Sequence, residues 1–267
     1  MRAIDVLNCE FRKLRRSPIT WVTLAAWSAA IFFIAFFMWI VMNPRVAANF
    51  GLIGDKASFT FGGEDKNWAG FLHVVIMLGG VLGMMFSSII LAWVFGREYV
   101  EGTAKNLLAL PIGRWAFVLA KLLVAVAWFA LLILLLIGGS WLAGTLLGLP
   151  GWSATLFRLT VGRLLVLSLL AFAVSLPSAW IAEASRGYFG PMGFAIATMF
   201  VASFFSHTGW APWCPWTIVL LAAGPGFDAA AQAAPLVGWG SWIVVTATAL
   251  LGLGLAIFQV ERADNAQ

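Results

Sequence analysis

Long uninterrupted apolar runs decide what this chain can fold into. Six of them approach the length of about 20 residues that an α-helix needs to cross a bilayer. These runs lie at residues 19–42, 71–95, 116–137, 159–182, 189–206 and 241–258. Because the runs are continuous rather than alternating, they favour helices over barrel strands. The sequence therefore predicts an all-α integral membrane protein with six transmembrane helices, the fourth kinked at Pro177.

Composition and charge support this class and predict an orientation. Only 10% of the 267 residues are charged, whereas soluble globular chains carry about 25%. If six spans alternate, eleven of the 16 Lys and Arg residues fall on the side that holds both termini and five on the other. Since Lys and Arg are enriched in cytoplasmic loops, we expect both termini in the cytoplasm. The basic charge is therefore interpreted as a topology signal and not as a nucleic-acid site.

The first 17 residues carry apolar side chains at three- and four-residue steps, with cations on the opposing arc. The cations that we assign to the membrane surface are Arg12, Lys13, Arg15 and Arg16. Such a pattern is typical of an amphipathic helix lying on the cytoplasmic leaflet. Ser17 and Pro18 suit the N-cap and first position of the next helix. Residues 1–18 are therefore predicted as an interfacial helix and residues 19–267 as the membrane domain, with a disordered basic tail as the alternative for the first segment.

The segment between the second and third spans, residues 97–114, holds the densest mixed charge in the chain. Thr103 can cap a short helix that carries Leu107 on an apolar face, and Pro111 would end it. Two helical turns rise only about 10 Å, so this helix must lie at the membrane surface. A short helix with an apolar face and flanking carboxylates is suited to docking on a partner protein. An ordinary charged connecting loop is the alternative.

Residues 207–240 are expected outside, yet they contain one carboxylate, Asp228, and no Lys or Arg. Trp210, Trp213 and Trp216 follow one another at three-residue steps, and Trp is favoured at the membrane interface. We interpret this segment as a re-entrant or interfacial extracellular element, in which Asp228 caps a small helix.

The chain lacks the residue patterns of an enzyme or an ion-coupled transporter. The predicted span interiors hold essentially no carboxylate or histidine, the residues that usually mark proton and cation paths. The sequence contains no hydrolase nucleophile motif, zinc-binding motif or phosphate-binding loop. We therefore expect a protein that is not an enzyme, binds no metal or cofactor itself and takes its energy from another subunit.

Three features together resemble the ABC-2-type exporter permeases. These are the Lys-Leu-Arg-Arg-Ser-Pro run at residues 13–18, the six-span layout, and the segment that runs from Arg97-Glu98-Tyr99 to Arg114. The Trp-Ala-Pro-Trp-Cys-Pro run at residues 210–215 is most similar to the bacitracin and lantibiotic immunity permease branch. The resemblance covers the whole chain as a layout, although its specific residues are few.

The resemblance implies roles for the segments outside the spans. Residues 1–17 would be a connecting helix, residues 98–110 would contain the coupling helix that docks on a separate ATPase, and residues 207–240 would be the re-entrant extracellular element. The implied ATPase-coupling residues are Glu98, Glu101, Gly102, Thr103, Leu107, Pro111 and Arg114. It also implies two ABC ATPase subunits, which bind ATP and Mg²⁺, and a second permease chain in a homodimer or related heterodimer.

The implied function is the ATP-driven export of an amphipathic or hydrophobic cargo across the bacterial inner (cytoplasmic) membrane. Such a cargo would be a peptide antibiotic, a drug or a lipid, and antibiotic resistance would follow. Gly79 and Gly83 permit close approach of another helix, which supports the expectation of a dimer. The alternative is a non-transporting membrane sensor or assembly scaffold that recruits a cytoplasmic partner.

Overall fold

The computed structural model describes residues 3–43, 66–103, 114–224 and 237–262, together with the single residues 45 and 49. The helices are α1 (Ala3–Arg16), α2 (Pro18–Met42), α3 (Trp68–Val100), α4 (Arg114–Leu146), α5 (Ala154–Ser175), α6 (Pro177–Ala184), α7 (Phe189–Phe205), a 3₁₀ turn (Ala211–Trp213), α8 (Pro215–Ala223) and α9 (Trp239–Arg262). No β-strand occurs among the described residues. The prediction of an all-α membrane protein is confirmed for this part of the chain.

Five spans are long and apolar enough to cross a membrane, namely α2, α3, α4, α9 and the consecutive pair α5 and α6. The sixth predicted span corresponds to α7, which has 17 residues. A helix of that length rises about 25 Å, which is less than the roughly 30 Å of a bilayer's hydrocarbon core. The count of six spans is therefore not confirmed, because α7 lies at the lower limit of length for a crossing.

The junction between α1 and α2 is built as the sequence predicts. Ser17 is the N-cap of α2, and its hydroxyl accepts a hydrogen bond from the Ile19 N–H at 3.3 Å. Pro18 follows at the first helical position, where its missing N–H is no loss. The Thr20 hydroxyl donates to the Leu14 carbonyl at 2.7 Å, which ties the end of α1 to the first turn of α2.

α3 is the central helix, and its glycines bring neighbouring helices close within the same chain. A Cβ added at Gly79 would lie 3.0 Å from Leu164 Cδ2 on α5, and one at Gly83 would lie 3.4 Å from the Cβ of Ala171. The small-residue pair therefore serves packing between α3 and α5. It gives no support to the expected dimer, because the space it creates is filled by this chain.

The fourth predicted span is interrupted where Pro177 was expected to kink it. α5 ends at Ser175 and α6 begins at Pro177, so the span consists of two helices in sequence. The backbone of α9 packs directly against the backbone at this break, since a Cβ added at Gly252 would lie 2.5 Å from the Pro177 nitrogen. Just before the break, the Ser87 hydroxyl donates to the Ser175 hydroxyl at 2.8 Å and links α3 to α5.

Successive spans bring two distinct sets of residues to the two ends of the bundle. One end, which we call the charged end, is defined by Lys13, Glu98, Lys121 and Glu183, which interact electrostatically. The other, the opposite end, is defined by the start of α3, the α4–α5 connection and the 3₁₀ turn. There the Trp68 N–H donates to the Pro150 carbonyl at 3.0 Å.

Candidate functional site

Glu98, in the last turn of α3, is the centre of a cluster of charged residues at the charged end. Its side chain is buried, with 6% of the residue surface exposed. Oε2 accepts a hydrogen bond from Lys121 Nζ on α4 at 2.6 Å, and Oε1 accepts one from Lys13 Nζ on α1 at 3.1 Å. Lys121 is itself buried. One carboxylate therefore joins α1, α3 and α4.

Lys13 lies inside this cluster, although the amphipathic pattern predicted it on the membrane surface. It also pairs with Glu10 one turn earlier on α1. Burial opposes the charged form, but the carboxylates of Glu10 and Glu98 outweigh it and raise the pKa of the Lys13 ammonium. Lys13 is therefore cationic at physiological pH and is half-buried in the cluster, with 24% of its side chain exposed. The three other cations of the same helix, Arg12, Arg15 and Arg16, are exposed.

Glu101 has a different environment from Glu98, although the two carboxylates are only three residues apart. Its side chain is 47% exposed, and Oε1 accepts a hydrogen bond from Arg97 Nε at 2.9 Å. The Arg97 guanidinium lies over the Trp93 ring, 5.0 Å from the centroid. Of the two carboxylates that the sequence proposed for docking, Glu101 is therefore the one that a partner can reach.

Gly102 and Thr103 end α3 in a left-handed turn. Gly102 has φ of 68°, a conformation that favours glycine. Its N–H donates to the Tyr99 carbonyl at 3.3 Å, and the Thr103 N–H donates to the Glu98 carbonyl at 2.9 Å. This is the Schellman arrangement that satisfies the last carbonyls of a helix. Thr103 was predicted to cap the next helix, but its described contacts close the preceding one.

The remaining predicted coupling residues are placed only in part. Leu107 and Pro111 lie outside the described residues, as does the whole of the expected coupling helix at residues 104–110. Arg114 is the first residue of α4. The described turn at Gly102 therefore leads directly from the Glu98 cluster into the segment that was predicted to dock.

Glu183 is a buried carboxylate that the sequence analysis did not assign to the site. It lies near the end of α6, is 3% exposed, and interacts electrostatically with Lys121 and Glu98. Its Oε2 atom has no hydrogen-bond partner among the described residues. In the sequence, Glu183 is recognisable only as a carboxylate at the end of an apolar run. That position does not indicate that it interacts with Lys121.

The predicted extracellular element is described in two pieces, residues 207–224 and 237–240. Trp210 and Trp213 are 70% and 61% exposed. Trp216 is turned into the bundle, where its Nε1–H donates to the Val174 carbonyl at 3.2 Å. α8 packs beside α5 and α7, with Thr217 fully buried. Asp228 lies outside the described residues, and the re-entrant character of the element is not confirmed.

A comparison with known proteins identifies the family of the chain. Residues 6–202, well over half of the chain, match the sequence profile of the ABC-2 family transporter proteins. The chain belongs to this family. The resemblance seen in the sequence is therefore confirmed, and the protein is a multi-pass permease subunit of an ABC transporter.

One curated relative agrees with the predicted branch. The permease is 29% identical over 199 residues to the bacitracin transport permease protein of Bacillus licheniformis, an alignment that covers 72% of this chain and 88% of that protein. In this family the ATPase is generally a separate subunit.

Proposed function

We propose that the permease is the membrane subunit of an ATP-driven exporter for an amphipathic or hydrophobic cargo. Its relative is named for bacitracin transport, which favours a peptide antibiotic over an ionic solute. The low charge of the spans agrees, because a buried ion would need partners inside the membrane. The proposed location is the bacterial inner membrane with both termini cytoplasmic, so that the charged end meets the ATPase.

The proposed assembly contains two permease chains and two ATPases, which bind the ATP and Mg²⁺. α7 supports a partner chain, because its exposed apolar residues recur at three- and four-residue steps. These residues are Phe189, Met192, Ile196, Phe200 and Phe204. Such an apolar outer face would be covered by a second copy of the chain.

The observation that carries the proposed coupling mechanism is the double pairing of Glu98 with Lys13 and Lys121. A force on residues 104–113 would pass through the turn at Gly102 to the last residues of α3. Because Glu98 binds lysines of α1 and α4, the three helices would move together. In this mechanism Glu98 is an internal link and Glu101 contacts the ATPase, which replaces the simpler idea that both carboxylates dock.

Lys13→Met tests this link with little loss of packing, because Lys13 is partly exposed and Glu98 keeps Lys121. The permease and its ATPase are reconstituted in proteoliposomes, and bacitracin movement is measured together with ATP hydrolysis. We expect the variant to bind the ATPase normally but to move less bacitracin per ATP. Lys66→Met, the same substitution at an exposed lysine before α3, is the matched control and should behave as wild type.

Two outcomes would contradict the proposal in different ways. Normal bacitracin movement in Lys13→Met would show that the ion cluster does not transmit the motion. If wild-type permease bound bacitracin and a cytoplasmic partner but never moved the peptide, the sensor or scaffold function would be correct instead.

A further inference from the structure

A groove of about 580 Å³ lies between α1, the start of α2 and α4. Its wall is apolar and includes Phe11, Trp128 and Leu131, while Arg12 and Arg15 of α1 line its polar side. Both arginines are exposed, and neither forms an ion pair with a described residue. The groove thus combines two guanidinium groups with an apolar surface. We propose that it holds one anionic phospholipid.

The position of the groove matches the two parts of a phospholipid. Lys13, between the two arginines in sequence, pairs with Glu98, which pairs with Lys121 on α4. Trp128 follows Lys121 by seven residues, a rise of about 10 Å along α4. The arginines therefore lie at the level of the charged cluster, where a phosphate belongs. The apolar wall continues along α4 into the membrane span, where an acyl chain belongs.

The chemistry of the lining favours an anionic lipid over a zwitterionic one. Guanidinium groups bind phosphate through paired, charge-assisted hydrogen bonds, and two of them leave a surplus of positive charge over one phosphate. Trp128 contributes apolar ring surface to the wall, because its Nε1–H is buried inside the bundle.

The occupant can enter from the bilayer. Leu131 is 48% exposed and Leu134, the next residue along the same face of α4, is 64% exposed. The groove is thus continuous with a helix face that is exposed to lipid. This continuity commits the site to a membrane lipid rather than to a free phosphate from the cytoplasm.

Adjacent arginines of α1 provide a matched pair of variants. Arg15 lines the groove, whereas Arg16 does not, and both are exposed. Purified wild-type permease, Arg15→Gln and Arg16→Gln are titrated with phosphatidylglycerol, and bound lipid is counted by native mass spectrometry. We expect one tightly held lipid in wild type and in Arg16→Gln. Arg15→Gln should bind it about tenfold more weakly, a change of about 1.4 kcal/mol.

A second pair tests the apolar wall without changing charge. Ala127 lines the groove and Ala130 does not, and both are exposed on α4. Ala127→Trp should fill the groove and displace the lipid, while Ala130→Trp should retain it. This pair also decides the question if Arg15→Gln fails to insert.

Three results would overturn the proposal. The first is equal lipid retention in both members of each pair. The second is equal binding of phosphatidylcholine, which would show that charge plays no part. The third is displacement by inorganic phosphate alone, which would identify a phosphate site that does not need the acyl chains.

Discussion

The two ends of the permease are held together by different kinds of interaction. At the charged end, the buried Glu98 carboxylate joins three helices. The stability of this end therefore depends on a few charged groups, each of which requires its partner. At the opposite end, tryptophan packing and hydrogen bonds to backbone carbonyls join the elements. Trp68 and Trp152 meet there with ring centroids 4.6 Å apart. A single substitution should therefore do more harm at the charged end, where it leaves a buried charge unpaired.

The largest effect is expected for Glu98→Gln. The substitution leaves the buried Lys121 cation without the carboxylate that accepts its hydrogen bond, and breaking a buried pair in this way costs about 3–5 kcal/mol. Denaturant unfolding of the purified permease should show this loss. Adding Lys121→Met should restore part of the stability, because the buried cation that lost its hydrogen-bonded carboxylate is then gone, although Glu183 also loses its interaction with Lys121. Glu101→Gln is the matched control and should change stability by less than about 1 kcal/mol, since that carboxylate is half exposed.

Gly144→Ala probes the aromatic packing of the opposite end. An added Cβ would lie 2.4 Å from Trp68 Cη2, so the buried indole must move. Overpacking of this kind costs about 1–3 kcal/mol. Gly138→Ala on the same helix meets nothing within 4 Å and should be neutral or stabilising. Equal stability of the two variants would show that Trp68 is not closely packed.

Gly102→Ala should have a smaller effect at the charged end. The φ of 68° disfavours an L side chain by about 1–2 kcal/mol, although no atom lies within 4 Å of the added Cβ. Gly102→Asn should lose less, because asparagine tolerates this conformation. Unfolding measurements that rank alanine above asparagine in stability would contradict the assigned turn.

The smallest effect is expected for Ser241→Ala at the opposite end. The Ser241 hydroxyl donates to the Pro212 carbonyl at 2.9 Å and links α9 to the 3₁₀ turn. Hydrogen bonds between helices in membrane proteins contribute about 0.6 kcal/mol on average. Thr248→Ala, which removes a hydroxyl bonded within its own helix, is the control. A loss well above that of the control and above about 2 kcal/mol would mean that this end also depends on single contacts.

The sequence predicted the all-helical fold and most of the spans because each apolar run reports on its own residues. Ser17 and Pro18 marked the start of α2 for the same reason, since capping is a local interaction. α7 coincides with the predicted run at residues 189–206, but its 17 residues leave the sixth crossing unconfirmed. The family was recognised from the resemblance of the span layout and of the runs at residues 13–18 and 97–114.

The candidate site was only partly predictable. Glu98 was singled out from its place after the second span, but its partner Lys13 is 85 positions away and Lys121 lies inside an apolar run. Nothing in the local sequence indicates that these three side chains meet. The same limit applies to Gly79, whose spacing signals a close helix contact but not that α5 supplies it.

The break between α5 and α6 allows the last eight residues of the fourth span to tilt separately from the rest of it. α6 has eight residues and rises about 12 Å, so a rotation of about 10° at Pro177 would displace its far end by about 2 Å. Glu183 lies near that end, whereas α5 is held to α3 by the hydrogen bond between Ser87 and Ser175. α9 contacts Pro177 through the backbone of Gly252, so no side chain of α9 at this position packs against the proline. A tilt of α6 alone would therefore alter the spacing of Glu183 from Lys121 without any sliding of the longer helices.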